Sequence, residues 1–288
     1  MYLRVGAIHA LEHVSSDSRV HRDNVTEVLS DFVSEKAEKR RDSVPLSVFL
    51  AGQSRSKVAS DVQAALDTLG RRRRRGAVAL DLRSLDLRDA VLEGAHLERC
   101  NLSGALLHRA YLARGRLQHA VLVQAQLRYA KLGKARLAWA DLSEARLQRA
   151  SLMKARLRHA VLHEARLECA NLSGAQLCYA DLTGARLGNA DLTGANLKCA
   201  DLSGANLYGA EGVTASQLRR AHIDEYTMLP DHLVWEGWWV RRVREIVPSG
   251  GNEDQRPNNG APESTFSTGP SAAARRRAVR PAPGPSKR

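Results

Sequence analysis

The chain has 288 residues, with 44 Lys and Arg against 31 Asp and Glu, a formal net charge of +13 and a pI near 10.1. That balance points to an anionic partner or to solubility alone. No apolar run of about 18 residues occurs, so no membrane span is expected, and the N-terminus shows no apolar signal-peptide core.

Residues 1–70 read as a helical segment. A first helix is expected over about residues 3–14. Val25, Val28, Leu29, Phe32 and Val33 fall on one helical face, and Asn24 with Glu27 resembles a capping box at its start. Val58, Val62, Ala65, Leu66 and Leu69 repeat the pattern up to Gly70, a suitable C′ residue. The basic linker 71–80 opens with the run Arg71–Arg75. It reads as a solvated continuation of the helix, or as an arm for phosphate or a membrane surface.

From Leu82 to Leu207 leucine occupies every fifth position, 26 times without a miss. The residue two before it is alanine from Ala90 to Ala210, except at Cys100 and Gly115. A period of five suits no ordinary element. On a helix the leucines rotate by about 140° per step and form no stripe. On one long strand they alternate faces. A short extended piece followed by a bend satisfies the pattern: positions i−2 and i point inward, and the other three point out. Twenty-six buried leucines contribute on the order of 40–80 kcal/mol gross, before chain entropy. Cys100 falls at an inward site, while Cys169, Cys178 and Cys199 point outward without CxxC spacing. A reducing cytoplasm is the natural setting, with a peripheral membrane association as the variant.

The stretch ADLTGANLKCADLSGANLYGA (190–210) matches the consensus A(D/N)LXX, and residues 81–210 resemble the pentapeptide-repeat family. The resemblance implies a mainly β fold: a right-handed quadrilateral parallel β-helix of four pentapeptides per coil, about 6.5 coils and ~31 Å long at ~4.8 Å per coil. LRVGAIHALEHVSSDS and DVQAALDTLG resemble the helical segment that precedes the repeats in many bacterial members. A membrane anchor often comes earlier in those proteins, and this chain begins inside the corresponding segment. TASQLRRAHIDEYTMLP resembles the segment that ends many of these barrels. Residues 211–247 are therefore expected to form a C-terminal cap. Within them Trp235, Trp238 and Trp239 lie with Arg241, Arg242 and Arg244 on a short helix, read as a cap or as an interfacial membrane helix. The tail 248–288, rich in Pro, Gly, Ser and Arg, is expected to be disordered.

With 20 residues per coil, outward residues sort onto four faces. The Leu82 face carries six acidic residues and one basic, Arg83. The Leu97 face carries six basic residues and one acidic, Glu98. The Leu87 face has seven basic against three acidic, and the Leu92 face four against two. On the Leu97 face His119, Trp139, His159 and Tyr179 recur every 20 residues beside Arg116, Arg136 and Arg156, with Arg158 close by. Interleaved rings and cations are what a phosphate-tracking surface needs. Ring ladders also stabilise β-helices by themselves. These eight residues form the candidate interaction face.

No G-x-S-x-G, HExxH, Walker A or G-x-G-x-x-G motif occurs. A convex rod offers no substrate cavity, and His108 and His163 read as surface polar residues. The expectation is a non-catalytic scaffold, without cofactor, metal or small-molecule substrate, that presents charged faces to a macromolecule, protein or anionic polymer. A homo-oligomer is compatible with the sequence but is not predicted by it. The alternatives are direct binding of nucleic acid or anionic membrane, and a DNA mimic that binds gyrase, an activity the resemblance brings with it. The mimic needs negative charge, whereas residues 81–210 hold 18 basic and 12 acidic residues, a net of +6.

Overall fold

The bends set the fold. In the computed structural model, which describes residues 7–8, 10–11, 19–43, 60–71 and 80–235, each pentapeptide closes in a four-residue turn. The alanine N–H donates to the carbonyl of the leucine three residues earlier, as from Ala145 to Leu142 (3.0 Å). The third turn residue is left-handed at every step from Ser84 to Gly209, at nineteen non-glycine residues and seven glycines. A hydrogen-bonded turn with positive φ at that place is type II. Four such turns carry the chain back over itself, and residues 20 apart pair in parallel from Asp81 with Asn101 to Asp191 with Glu211. One residue per pentapeptide pairs in this way, so the sides are bridges too short to form named strands.

The backbone accounting explains the consensus. The N–H before each leucine donates to the coil below (Asn101 to Leu80, 2.9 Å), and the leucine N–H donates to the coil above (Leu82 to Asn101, 2.8 Å). The left-handed residue also donates upward (Ser84 to Ser103, 2.9 Å). Only the N–H after the leucine lacks a backbone acceptor. An Asp or Asn before the leucine supplies one: Asp141 Oδ1 accepts from Ser143 N at 3.0 Å and Asn171 Oδ1 from Ser173 N at 3.0 Å. The Ser or Thr hydroxyl then donates to the same oxygen.

All 26 repeat leucines are at most 2% exposed, and the alanines with Cys100 fill the space between them. Both ends are closed by glutamine side chains. Helix α1 (Arg19–Ser43) packs on α2 (Ser60–Arg71). Gln63 of α2 donates to Val91 O (2.6 Å) and accepts from Val91 N (3.0 Å), taking the place of a lower coil. Beyond residue 210 the pairing continues with one and then two extra residues, Asp201 with His222 and Asn206 with Met228. Between Glu211 and His222, α3 (Ala215–Leu218), started by a Thr214–Gln217 capping box, replaces one side of the coil. Gln217 Nε2 donates to Leu192 O and Ala195 O (3.3 and 2.8 Å). Val213, Leu218, Ile223, Leu229 and Leu233 extend the core, the last from α4 (Asp231–Trp235). Residues 213–233 thereby cover the last coil and Gln63 one bridging position of the first, where open edges would template aggregation.

Several helix expectations are corrected. Helix α1 begins at Arg19, so Asn24 and Glu27 lie inside it and form no cap. Val25, Leu29 and Val33 are buried and Phe32 partly so, but Val28 is exposed, one step off the covered stripe. Gly70 falls within the last turn of α2, an end that frays by a residue or two in any assignment. Most of the first expected helix, Val58, Arg72–Arg75 and everything after Trp235 lie outside the described residues.

Candidate functional site

The left-handed turn position projects side chains at a fixed place on each side, one coil apart. On the Leu97 side this stacks four rings. His119 and Trp139 lie 6.3 Å apart between centroids, Trp139 and His159 4.0 Å, and His159 and Tyr179 4.9 Å, with interplanar angles of 5°, 9° and 12°. Both faces of His159 are taken by neighbouring rings, whereas Trp139 stacks closely only on His159, is offset from His119 and stays 55% exposed. Arg158 Nε donates to His159 Nε2 (3.3 Å), and its guanidinium sits 5.4 Å from the Tyr179 ring. Arg116, Arg136 and Arg156 bridge one another in sequence and are all exposed. The structure thus brings all eight candidate residues onto one side.

A second cation column, which sorting by face hides, runs beside the first. Arg114, Lys134 and Lys154 are the left-handed residues of the Leu92 side, and Arg116, Arg136 and Arg156 open the next side two residues later. The corner between the two sides is therefore a ridge of six exposed cations over three coils. None of the six makes an ion pair among the described residues. The only acidic residues between 111 and 160 are Asp141 and Glu144, both on the Leu82 side. These like charges recur on backbones ~4.8 Å apart, well inside a Debye length of ~8 Å, and repel one another.

The opposite corner differs. There Glu144 and Glu164 alternate with Arg146, Arg166 and Arg186 along an open groove of about 830 Å³. A groove was not expected of a convex rod; small residues in the turn column, Gly104 and Gly184, leave it open. Its mixed charges cancel over short distances.

The first coils hold a buried polar cluster that face-sorting placed on the surface. Asp86 and Arg88 are 1% and 0% exposed. Arg88 Nε donates to Asp86 Oδ1 (2.8 Å) and Nη2 to Oδ2. His108, one coil on, is buried as well, which corrects its reading as a surface residue; His163 is exposed. Burial, with the Arg128 and Arg88 cations adding to it, pushes the His108 pKa down to about 4. No His, Cys, Asp and Glu grouping suited to a metal ion exists among the described residues. No helix among them is long and apolar enough to cross a membrane.

Mid-rod, the chain gives up both local devices of the coil. Of the thirteen residues preceding leucine from Leu106 to Arg166, only Asp141 is an Asp or Asn, and it bonds the orphan N–H of Ser143. None of the thirteen left-handed positions from Arg109 to Cys169 is glycine. Over the same stretch, from Arg99 to Arg166, 14 basic residues face 3 acidic ones.

A family model described as pentapeptide repeats matches in eight copies between residues 86 and 209. HetL, a pentapeptide repeat protein involved in heterocyst differentiation regulation in the cyanobacterium Nostoc sp. strain PCC 7120, shares 31% identity. The match covers 54% of this chain and 75% of HetL, with a TM-score of 0.37. QnrB1, a plasmid-mediated fluoroquinolone resistance protein, is 17% identical over 56% of this chain and 84% of its own, with a TM-score of 0.43. Rfr23 from the cyanobacterium Cyanothece 51142 is 28% identical over 47% and 64%, with a TM-score of 0.22. No curated protein matches the chain. On the family model and the identity to HetL, the chain belongs to the pentapeptide-repeat family.

Proposed function

We propose that this protein is a non-catalytic scaffold whose rigid, right-handed coil presents a basic side to a macromolecular partner. The helical segment 1–70 and the cap 211–247 close its ends, and 248–288 is a basic tail. The contact surface is the Leu97 side with Arg116, His119, Arg136, Trp139, Arg156, Arg158, His159 and Tyr179. One observation carries the reading: where the consensus Asx and glycine are abandoned, cations and rings take most of their places outside the Leu82 side. A sequence that breaks its own local rules in one block, at some cost in stability, marks a surface kept for another purpose. The acidic Leu82 side lends less support to a DNA mimic, because Asp141, Asp181 and Asp201 accept bonds from their own turns. A reducing cytoplasm suits the exposed thiols of Cys169 and Cys199.

Retention on immobilised heparin tests the reading. Arg136→Glu with Arg156→Glu is expected to elute at much lower salt than the wild type, and Arg146→Glu with Arg166→Glu close to it. Equal shifts for the two pairs would reduce the effect to net charge and remove the face as a site.

A further inference from the structure

We infer that the ridge between the Leu92 and Leu97 sides binds a nucleic-acid duplex through its phosphates, without reading bases; the inference rests on the docking-face reading above and names its partner. Three observations lead there. The ridge concentrates Arg114, Arg116, Lys134, Arg136, Lys154 and Arg156 with no acidic side chain among them. The cations are exposed and make no ion pair among the described residues, so none is spent within the fold. The backbone holds them in register, one pair per coil, through bridges such as Arg116 with Arg136 and Arg136 with Arg156.

Shape selects the polyanion. A plane, such as a lipid surface, meets a convex corner only along its crest, with its charges beneath the two columns rather than beside them. Set against a duplex groove, the same corner points its two columns at the two phosphate strands that bound it. Paired positions such as Lys134 and Arg136 are two residues apart, at most ~7 Å between Cα atoms. Splayed side chains then reach across a major groove ~12 Å wide. Three coils span ~10 Å, well under a duplex turn of ~34 Å, so the groove is nearly straight over the contact.

The ring ladder tells against base reading. His159 is stacked on both faces and Trp139 closely on one, so the ladder offers a base part of a single indole face rather than a row of free platforms. Sequence-independent binding, with all its selectivity in charge geometry, is the consequence.

Fluorescence anisotropy of the full chain with a short mixed-sequence duplex, titrated with salt, tests the proposal. Six phosphates neutralised give a log–log slope of about −5, or about a thousandfold loss of affinity between roughly 50 and 200 mM salt. Lys134→Gln with Arg136→Gln is expected to make that slope shallower by about 2. Arg146→Gln with Arg166→Gln, which removes the same charge at the opposite corner, is expected to leave it unchanged, as is Trp139→Ala. Equal effects of the two pairs, or a tenfold or greater loss on Trp139→Ala, would overturn the inference. Polyglutamate and phosphatidylserine vesicles are run in parallel. If the ridge pair weakens binding to either of them but not to the duplex, the duplex is wrong and the docking face stands. If the ridge pair changes binding to none of the three, both fall.

Discussion

Leu142 sits mid-rod with no exposed surface, between Leu122 below and Leu162 above. Its walls are fixed: Leu142 N donates to Val161 O at 2.7 Å and Ala145 N closes the turn on Leu142 O at 3.0 Å. Leu142→Ala therefore leaves a cavity that cannot collapse. The cost belongs at the upper end of the buried-leucine range, about 4–5 kcal/mol. Leu142→Asp adds an unpaired buried carboxylate, worth several further kcal/mol. Against a total stability of order 5–15 kcal/mol, the aspartate variant unfolds the coils on both sides, because neighbours share one core. Urea unfolding followed by far-UV circular dichroism reads both variants, with size-exclusion elution as a check. A cost below about 1 kcal/mol for Leu142→Ala, or an unchanged melting temperature for Leu142→Asp, would refute the filled-axis argument.

Gly212→Ala should cost far more than Gly94→Ala. A Cβ at Gly212 would lie 2.2 Å from Thr193 Oγ1 and 2.5 Å from its Cα, whereas nothing lies within 4 Å at Gly94. The expected losses by urea unfolding are about 3 and about 1 kcal/mol, and equal losses would contradict the close approach at the cap. Buried neutral His108 makes stability pH-dependent. Its folded pKa, about 4, lies below the unfolded value, so its contribution is complete above pH ~6.5 and is lost as pH falls toward ~4. The loss is on the order of 3 kcal/mol, and it should disappear in His108→Gln; an identical pH profile for that variant would assign the dependence elsewhere. Asp81 and Asp224, both held below the usual carboxylate range, act in the same direction at lower pH. Side-chain and backbone bonds from Arg83 hold Asp81 down. At Asp224 burial pushes upward and is outweighed by bonds from Gly204, Thr227 and Tyr226. Deleting 211–247 uncovers the last coil and should produce aggregation by light scattering; a truncated protein that stays monomeric would show that the cap is dispensable.

The core was legible because burial admits one residue type: leucine at every fifth place can be satisfied only by a coil. The ring column was legible for the same reason, since a period of 20 follows from four sides. The left-handed turns were not, because Trp139, Tyr129 and Cys169 have no preference for positive φ. There the inter-coil hydrogen bonds override local propensity. The ridge escaped because its two columns belong to different faces, although Lys134 and Arg136 are two residues apart. Asp86, Arg88 and His108 follow the outward pattern yet are covered at the first coils, which the repeat alone does not foretell. The start of α1 was missed because Asn24 and Glu27 have the spacing of a cap but lie more than one turn inside the helix.

On the proposal above, a polyanion lies along the ridge. The chain has other basic stretches, among them Arg71–Arg75 and Arg275–Arg277 near the C-terminus, so affinity alone does not locate the contact. Lysine acetylation footprinting with mass spectrometry does. With duplex bound, Lys134 and Lys154 should lose most of their reactivity while Lys198 and Lys287 keep theirs. Protection at Lys287 with Lys134 and Lys154 still fully reactive would contradict the account.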